Sequence, residues 1–290
     1  MTRIIHALSE ISRSYDAVFC DVWGCLHNGR EPFPEAVAGL RAFREAGGRV
    51  VLVTNAPRAR AEVAKQLDRI GTPRDCWDVI ATSGDAGRAA LFQGAVGEKV
   101  HFIGYESDLS VFEPIHIVEN PVDVQRVPLR QAQGIVCAGP EDPYADPSVY
   151  RDDFAFARDR GMKLLCLNPD VIVDVGTKRQ WCAGALAQLY TEMGGESLYF
   201  GKPHPPIYDL ARQRLAHLGA AVPDSRILCI GDGIHTDVAG ALGENLDVLF
   251  VAGGLAAEET LHGEHPHPDR LSAYLDKENL TPTYSIGYLR

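Results

Sequence analysis

Residues 17–26 read AVFCDVWGCL, so a run of four apolar residues ends at the acidic side chain of Asp21. The same form, a short apolar run followed by polar or glycine residues, recurs at 50–54, 198–202 and 227–232. Uninterrupted apolar runs are typical of strands buried on both faces, as in a parallel sheet covered by helices. These four segments therefore predict the strands of an α/β fold.

Segments with helical character lie between these strands, at 34–46, 58–70 and 206–218. Alternating strands and helices predict a doubly wound parallel sheet, and in such sheets ligands bind beyond the carboxyl ends of the strands. Four polar side chains are expected together at that edge: Asp21, Thr54, Lys202 and Asp232.

The middle of the chain predicts a second, smaller domain. Turn-rich segments separate further strand-like runs at 99–104, 134–138, 162–167 and 171–175. We expect residues 81–183 to form an inserted α/β cap domain, with residues 1–80 and 184–290 forming a Rossmann-like core. The polar tail, 258–290, predicts a solvated or docking loop. Metal binding by its three neighbouring histidines is the alternative.

Composition argues against several classes of protein. Among 290 residues, 28 Lys and Arg stand against 39 Asp and Glu, and the net charge of −11 disfavours a nucleic-acid partner. We expect no membrane span and no export signal, because no segment has the required apolar length. Seven cysteines without a CxxC pair predict buried, reduced thiols in a cytoplasmic protein, rather than a disulfide framework or a zinc cluster.

The polar residues at the predicted sheet edge suit phosphoryl transfer. A single Asp after a strand is often a helix N-cap, but two or three carboxylates at one edge repel each other unless a cation neutralises them. Mg²⁺ fits because it accepts few carboxylates and keeps water or phosphate oxygens as its other ligands. Lys202 adds positive charge, and the Thr54 hydroxyl and the Asn55 amide or backbone N–H are expected to donate hydrogen bonds to phosphate. Together with a carboxylate nucleophile, these groups suit an aspartyl-phosphate mechanism.

Four motifs together resemble the haloacid dehalogenase superfamily of phosphohydrolases. They occur in order at 19–26, 52–55, 201–205 and 230–237. The long segment between the second and third motifs, entered through Thr82-Ser83-Gly84, is similar to the insertion in class IIA sugar- and nitrophenyl-phosphatase-like members of the superfamily.

The resemblance implies a role for each motif residue. Asp21 is implied as the nucleophile, and Lys202 as the group that stabilises the phosphate and orients that nucleophile. Thr54 is implied to bind the phosphoryl oxygens, with Asn55 in the same loop. The implied Mg²⁺ ligands are Asp21, Asp232, the backbone carbonyl of Trp23 and, directly or through a water, Asp237.

One position departs from the pattern of the superfamily. Its phosphatases carry a second Asp two residues after the nucleophile, as general acid and base, and this chain has Trp23 there. An indole neither protonates an alkoxide nor activates water, and loss of a general acid costs about 10²–10⁴ in rate. His27 is a candidate to replace this proton donor. Alternatively, His27 is a loop residue whose side chain is hydrogen-bonded to the backbone.

The sequence leaves three functions open. The first is a Mg²⁺-dependent phosphohydrolase acting on a small phosphorylated metabolite such as a sugar phosphate. The second is a slow or inactive protein that binds such a metabolite, and the third, less favoured, is a dehalogenase. Arg179 is a candidate to pair with a substrate anion, with a surface charge as its alternative. A homodimer is the assembly left open.

Overall fold

The computed structural model describes residues 2–113, 118, 120–175, 178–219 and 221–290. Its strands, in chain order, are β1 (Arg3–Ile4), β2 (Ala17–Cys20), β3 (Arg49–Thr54), β4 (Val79–Thr82), β5 (Lys99–Ile103), β6 (Gln125–Arg126), β7 (Gly134–Cys137), β8 (Lys163–Cys166), β9 (Ile172–Val175), β10 (Lys178–Trp181), β11 (Glu196–Tyr199), β12 (Ile227–Gly231), β13 (Asp247–Val251), β14 (Leu261–His262), β15 (His265–Pro266) and β16 (Tyr284–Ile286).

The α-helices are α1 (Pro34–Glu45), α2 (Arg60–Arg69), α3 (Ser83–Phe92), α4 (Arg151–Asp159), α5 (Ala183–Glu192), α6 (Pro205–Ala216), α7 (Ala239–Gly243), α8 (Ala257–Thr260) and α9 (Pro268–Glu278). Short 3₁₀ helices occupy Leu8–Glu10, Ser12–Ser14, Arg74–Cys76, Glu106–Phe112, Leu129–Gln131, Pro147–Tyr150 and Asp224–Arg226, and a π-helical turn occupies Ile234–Val238. Among the described residues, no helix combines the length and apolar character needed to cross a membrane.

The chain divides into two compact units, and the first contains Met1–Thr54, Ala64–Ala81 and Tyr208–Arg290. Its seven-stranded sheet has the order β1-β16-β13-β12-β2-β3-β4, and the pairs from β1 to β3 are parallel. The chain runs outward from β2 through β3 and β4 on one side, and from β12 through β13 and β16 on the other. This confirms the predicted doubly wound α/β fold and places its switch point between β2 and β12.

The second unit contains Asn55–Val63 and Thr82–Ile207. Its five-stranded sheet has the order β11-β8-β7-β5-β6, and every pair in it is parallel. Two helices pack on this sheet through a core that includes Phe154 and Tyr190. β9 and β10 form a separate antiparallel pair, so the predicted strand at 171–175 does not join the main sheet.

The structure corrects two sequence expectations about this organisation. The apolar run at 198–200 lies at the end of β11, an edge strand of the second unit's sheet, rather than in the core sheet. The second unit therefore extends to Ile207 instead of the expected residue 183. A three-residue apolar run predicts a strand but does not specify which sheet it joins.

The C-terminal tail is not a solvated loop. It folds into α8, the β14–β15 hairpin, α9 and β16, and β16 lies between β1 and β13 in the main sheet. Ser285 in the centre of β16 is fully buried and its hydroxyl donates to Phe250 O at 3.2 Å, so a polar residue concealed this short strand in the sequence. All seven cysteines are buried, and none forms a disulfide in the described chain, as predicted.

Candidate active site

Two carboxylates lie at the switch point of the seven-stranded sheet. Asp21 directly follows β2 and Asp232 directly follows β12, and the strands pair with Cys20 opposite Ile230. The backbone N–H of Asp21 extends this pairing by donating to Ile230 O at 2.8 Å. Both side chains are buried. The sheet register itself therefore brings two acidic groups together at the position where ligands bind in this fold.

Two glycines shape the surroundings of the Asp232 carboxylate. A Cβ placed on Gly24 would lie 2.9 Å from Asp232 Cγ, and one placed on Gly254 would lie 2.5 Å from the same atom. Gly24 also has a φ of +83°, a conformation that favours glycine. The backbone N–H of Leu255 donates to Asp232 Oδ2 at 3.1 Å. Backbone approaches the carboxylate closely from two loops and fixes its orientation.

The two carboxylates and the Cys25 thiol form a cluster whose ligand atoms all lie within 4.8 Å of one another. Burial, followed by the charges of Asp232 and Asp21, raises the pKa of the Cys25 thiol well above its usual value. The thiol is therefore neutral at physiological pH and is a poor ligand for a hard cation. Cys25 was not among the predicted site residues, and it joins the cluster through the turn at Gly24.

This donor set fits a divalent cation. Two buried carboxylates at such a distance repel each other, and a bound cation removes that repulsion. The available ionised ligands are oxygen atoms, which favour Mg²⁺-like hard cations over soft ones. The glycine contacts leave the Asp232 carboxylate little freedom to turn away from the cluster.

Asp237 lies outside this cluster in the part of the chain that the structure describes. It belongs to the π-helical turn Ile234–Val238, a rare element that is frequent at functional sites. Its Oδ2 accepts the Gly233 N–H at 3.0 Å, and a Cβ on Gly231 would lie 2.5 Å from its Oδ1. Asp237 thus holds the glycine-flanked loop that carries Asp232.

Thr54 is the last residue of β3, which pairs with β2, and its side chain is buried. Three of the four side chains expected at the sheet edge, those of Asp21, Thr54 and Asp232, accordingly follow or end neighbouring strands of one sheet. The fourth, Lys202, follows β11 in the second unit.

Asn55 holds the backbone of Lys202 within the second unit. Its Oδ1 accepts the Lys202 N–H at 2.7 Å, and its Nδ2 donates to Lys202 O at 3.1 Å and to Asp170 Oδ1 at 2.8 Å. Both amide hydrogens are used in these contacts. The Asn55 side chain therefore positions the Lys202 segment, and the prediction that Asn55 binds phosphate stays with its backbone N–H.

Arg179 lies on β10 opposite Asp174 on β9. Its Nε and Nη2 donate to the two Asp174 carboxylate oxygens at 2.9 and 3.0 Å, and its side chain is 60% exposed. Arg179 thus forms a bidentate pair on the surface across this hairpin, and its contact with a substrate anion stays a prediction.

The loop after Asp21 is organised around Trp23 and His27. Their rings make an edge-to-face contact with centroids 5.1 Å apart, and a Cβ on Gly29 would lie 2.5 Å from Trp23 Cη2. His27 is 2% exposed, and its Nδ1 accepts the Gly29 N–H at 3.0 Å. Burial lowers the pKa of His27 to about 4, so the ring is neutral at physiological pH. Of the two interpretations of His27, substitute proton donor or loop residue hydrogen-bonded to the backbone, these contacts fit the second.

Comparisons with known proteins agree with this geometry. The family described as haloacid dehalogenase-like hydrolase matches residues 18–117, and one described as HAD-hydrolase-like matches residues 199–277. A 5′-nucleotidase of Bacillus subtilis, YutF, is 24% identical over 265 residues, covering 88% of this chain and 94% of that protein.

Solved structures show the same fold. A glycerol phosphate phosphatase from Mycobacterium tuberculosis, solved in complex with magnesium, aligns with a TM-score of 0.65 at 23% identity, over 95% of this chain and 76% of that chain. A hydrolase of the haloacid dehalogenase-like family from Brucella suis aligns with a TM-score of 0.86 at 36% identity, over 99% of this chain and 100% of that chain. These matches confirm the resemblance carried by the four motifs, and the chain belongs to the haloacid dehalogenase-like hydrolases.

Proposed function

We propose that this hydrolase is a Mg²⁺-dependent phosphatase that acts on a small phosphorylated metabolite through an aspartyl-phosphate on Asp21. The observation that carries the proposal is the buried pair of Asp21 and Asp232 at the switch point, with ligand atoms within 4.8 Å. The phosphatase names of the relatives support the same reaction class.

The chemistry assigned to Asp21 is nucleophilic. One carboxylate oxygen attacks phosphorus as the bond from phosphorus to the ester oxygen breaks, and the electron pair of that bond leaves with the ester oxygen. Water then attacks phosphorus, which returns the carboxylate and releases inorganic phosphate. The hydrogen bond from the Asp21 N–H to the neighbouring strand fixes the backbone that carries this side chain, so the attacking group is positioned before substrate binds.

The other residues are assigned supporting roles. Asp21, Asp232 and the backbone carbonyl of Trp23 would hold Mg²⁺, and Asp237 would keep the Asp232 loop in place. When bound, the ion stabilises negative charge on the phosphoryl oxygens. We assign Thr54 and Lys202 to those oxygens as hydroxyl and cationic donors, following the family resemblance.

The test is hydrolysis of p-nitrophenyl phosphate with added Mg²⁺ or with EDTA. We expect metal-dependent turnover that Asp21→Asn abolishes, and that Lys202→Met lowers. Asp209→Asn is the matched control, since it removes an exposed carboxylate whose side chain is 65% accessible. Acid quenching followed by mass analysis of the peptide containing Asp21 is expected to show one added phosphoryl group. Turnover that persists in Asp21→Asn contradicts the assigned nucleophile.

A further inference from the structure

The loop that follows the nucleophile offers little proton chemistry. From residue 22 to residue 29 the sequence is VWGCLHNG, in which only Cys25 and His27 carry ionisable side chains. Both are buried. The Cys25 thiol lies in the carboxylate cluster, so within this loop His27 and Trp23 remain to be considered as proton donors for a departing ester oxygen.

His27 is committed to the loop itself. Its Nδ1 accepts the Gly29 N–H, its ring edge contacts the Trp23 indole, and 2% of its surface is accessible. The loop backbone also folds around it, since the His27 N–H donates to Val22 O at 3.2 Å and the Gly24 N–H donates to His27 O at 2.9 Å. A side chain that stabilises a turn in this way is a structural group.

Trp23 lies two residues after Asp21 and directly before Gly24, whose backbone packs against the Asp232 carboxylate. Its indole is half-buried and packs against Gly29, so closely that a Cβ on Gly29 would lie 2.5 Å from Trp23 Cη2. This packing holds the ring in the loop. An indole N–H donates a hydrogen bond but does not transfer its proton to an alkoxide. At Trp23 the loop thus carries an aromatic ring rather than a group that can protonate a departing ester oxygen.

We propose that the enzyme acts on phosphate compounds whose leaving groups are stable as anions, namely aryl, enol and acyl phosphates, in preference to alkyl phosphates such as sugar-hydroxyl esters. This inference rests on the proposed phosphatase function. As the Asp21 oxygen bonds to phosphorus, the leaving oxygen takes the electron pair of the broken bond and is protonated afterwards by bulk water.

The size of the preference follows from the basicity of the leaving oxygen. A phenol ionises near pH 10 and water near 15.7, so an aliphatic alkoxide is several orders of magnitude more basic than a phenolate. General acid catalysis removes about 10²–10⁴ of the penalty in rate for such a group. Without it, the penalty remains in kcat/KM for alkyl phosphates and is small for nitrophenyl or acetyl phosphate.

The experiment measures kcat/KM for a series of substituted phenyl phosphates, acetyl phosphate and ethyl phosphate. For the unmodified protein we expect log kcat/KM to fall steeply as the pKa of the leaving group rises. Trp23→Asp is expected to raise the ratio of ethyl to nitrophenyl phosphate activity by about 10²-fold. Trp23→Phe is the matched control, which keeps an aromatic ring, supplies no acid and is expected to keep the steep dependence.

The outcomes separate the two proposals. If log kcat/KM of the active, unmodified protein falls only slightly as the pKa of the leaving group rises, a proton donor is present. That result overturns this inference and leaves the proposed phosphatase function intact. Failure to hydrolyse any member of the series overturns both. Should Trp23→Asp fail to fold in a thermal melt, the dependence measured on the unmodified protein still decides the question.

Discussion

Gly254→Ala is a direct test of the carboxylate pair, because it adds a single methyl group beside Asp232. A Cβ at this position would lie 2.5 Å from Asp232 Cγ, whereas ordinary contacts begin at 3.4 Å. The carboxylate or the loop must therefore move by at least about 0.9 Å, since Oδ2 and Cβ of Asp232 lie closer still to the added methyl group. The Leu255 N–H that bonds Asp232 Oδ2 belongs to the same loop, so movement of the loop also disturbs this hydrogen bond.

The expected effect is larger on function than on folding. Overpacking of this kind costs about 1–3 kcal/mol of the free energy of unfolding. A displacement of about 1 Å in a catalytic group costs about 10²-fold in rate, so kcat/KM for p-nitrophenyl phosphate is expected to fall by about that factor. Mg²⁺ at 100 times its Kd stabilises a folded protein by about 2.7 kcal/mol, which amounts to several degrees in Tm, and we expect this shift to shrink in the variant.

The assay combines thermal melts across a Mg²⁺ titration with initial rates of p-nitrophenyl phosphate hydrolysis. Gly243→Ala is the matched control: it adds the same methyl group at the end of α7, where nothing lies within 4 Å. That variant should keep the Mg²⁺ response and the rate. If Gly254→Ala folds and retains both the unmodified Mg²⁺ affinity and the unmodified rate, Asp232 does not hold the metal.

Three further outcomes follow from the structure. Asp170→Ala removes the acceptor of one Asn55 amide hydrogen and so weakens the positioning of the Lys202 backbone by Asn55. Steady-state kinetics should show that kcat falls about 10-fold in this variant and recovers partially in Asp170→Asn. Burial lowers the pKa of His27 from 6.5 to about 4, so on acidification the unfolded chain takes up the proton before the folded protein does. The free energy of unfolding therefore falls by up to about 3 kcal/mol as the pH drops from 6.5 towards 4. Urea unfolding at pH 7 and pH 4.5 should show a smaller loss for His27→Gln than for the unmodified protein; equal losses contradict the assignment. Arg179→Ala, which removes a surface pair, should leave kcat/KM unchanged, and a large rise in KM would restore it as a substrate contact.

The sequence predicted the strands that surround the nucleophile because those strands are fully buried. β2 and β12 are buried at every position and carry no charged side chain, and each is directly followed by an Asp that lies at the candidate site. The positions of Asp21, Thr54 and Asp232 follow from this pattern together with the parallel order of neighbouring strands. Buried strands in the centre of a sheet leave the clearest trace in a sequence.

The features that the sequence did not predict depend on partners distant in the chain. Asn55 and Lys202 are 147 residues apart, and the amide contacts that assign Asn55 to the Lys202 backbone have no local signature. β11 and β16 are short edge or polar strands whose sheets are determined by packing alone. Cys25 joined the carboxylate cluster because the Gly24 turn folds it back, which spacing alone does not show.

Hydrolysis of a phosphate ester requires attack on phosphorus and, for a basic leaving group, delivery of a proton to the leaving oxygen. The carboxylate pair, the glycines around Asp232 and the Asp237 contact fit the metal binding and nucleophilic attack that we propose. Proton delivery to the leaving group, which we infer to be missing, would in contrast fall in that loop to Trp23, an indole, or to His27, which is bonded into the turn. An enzyme that retains attack and lacks proton delivery selects its substrates by how well the leaving group carries negative charge. The identity of the substrate is therefore to be sought among activated phosphates before sugar phosphates.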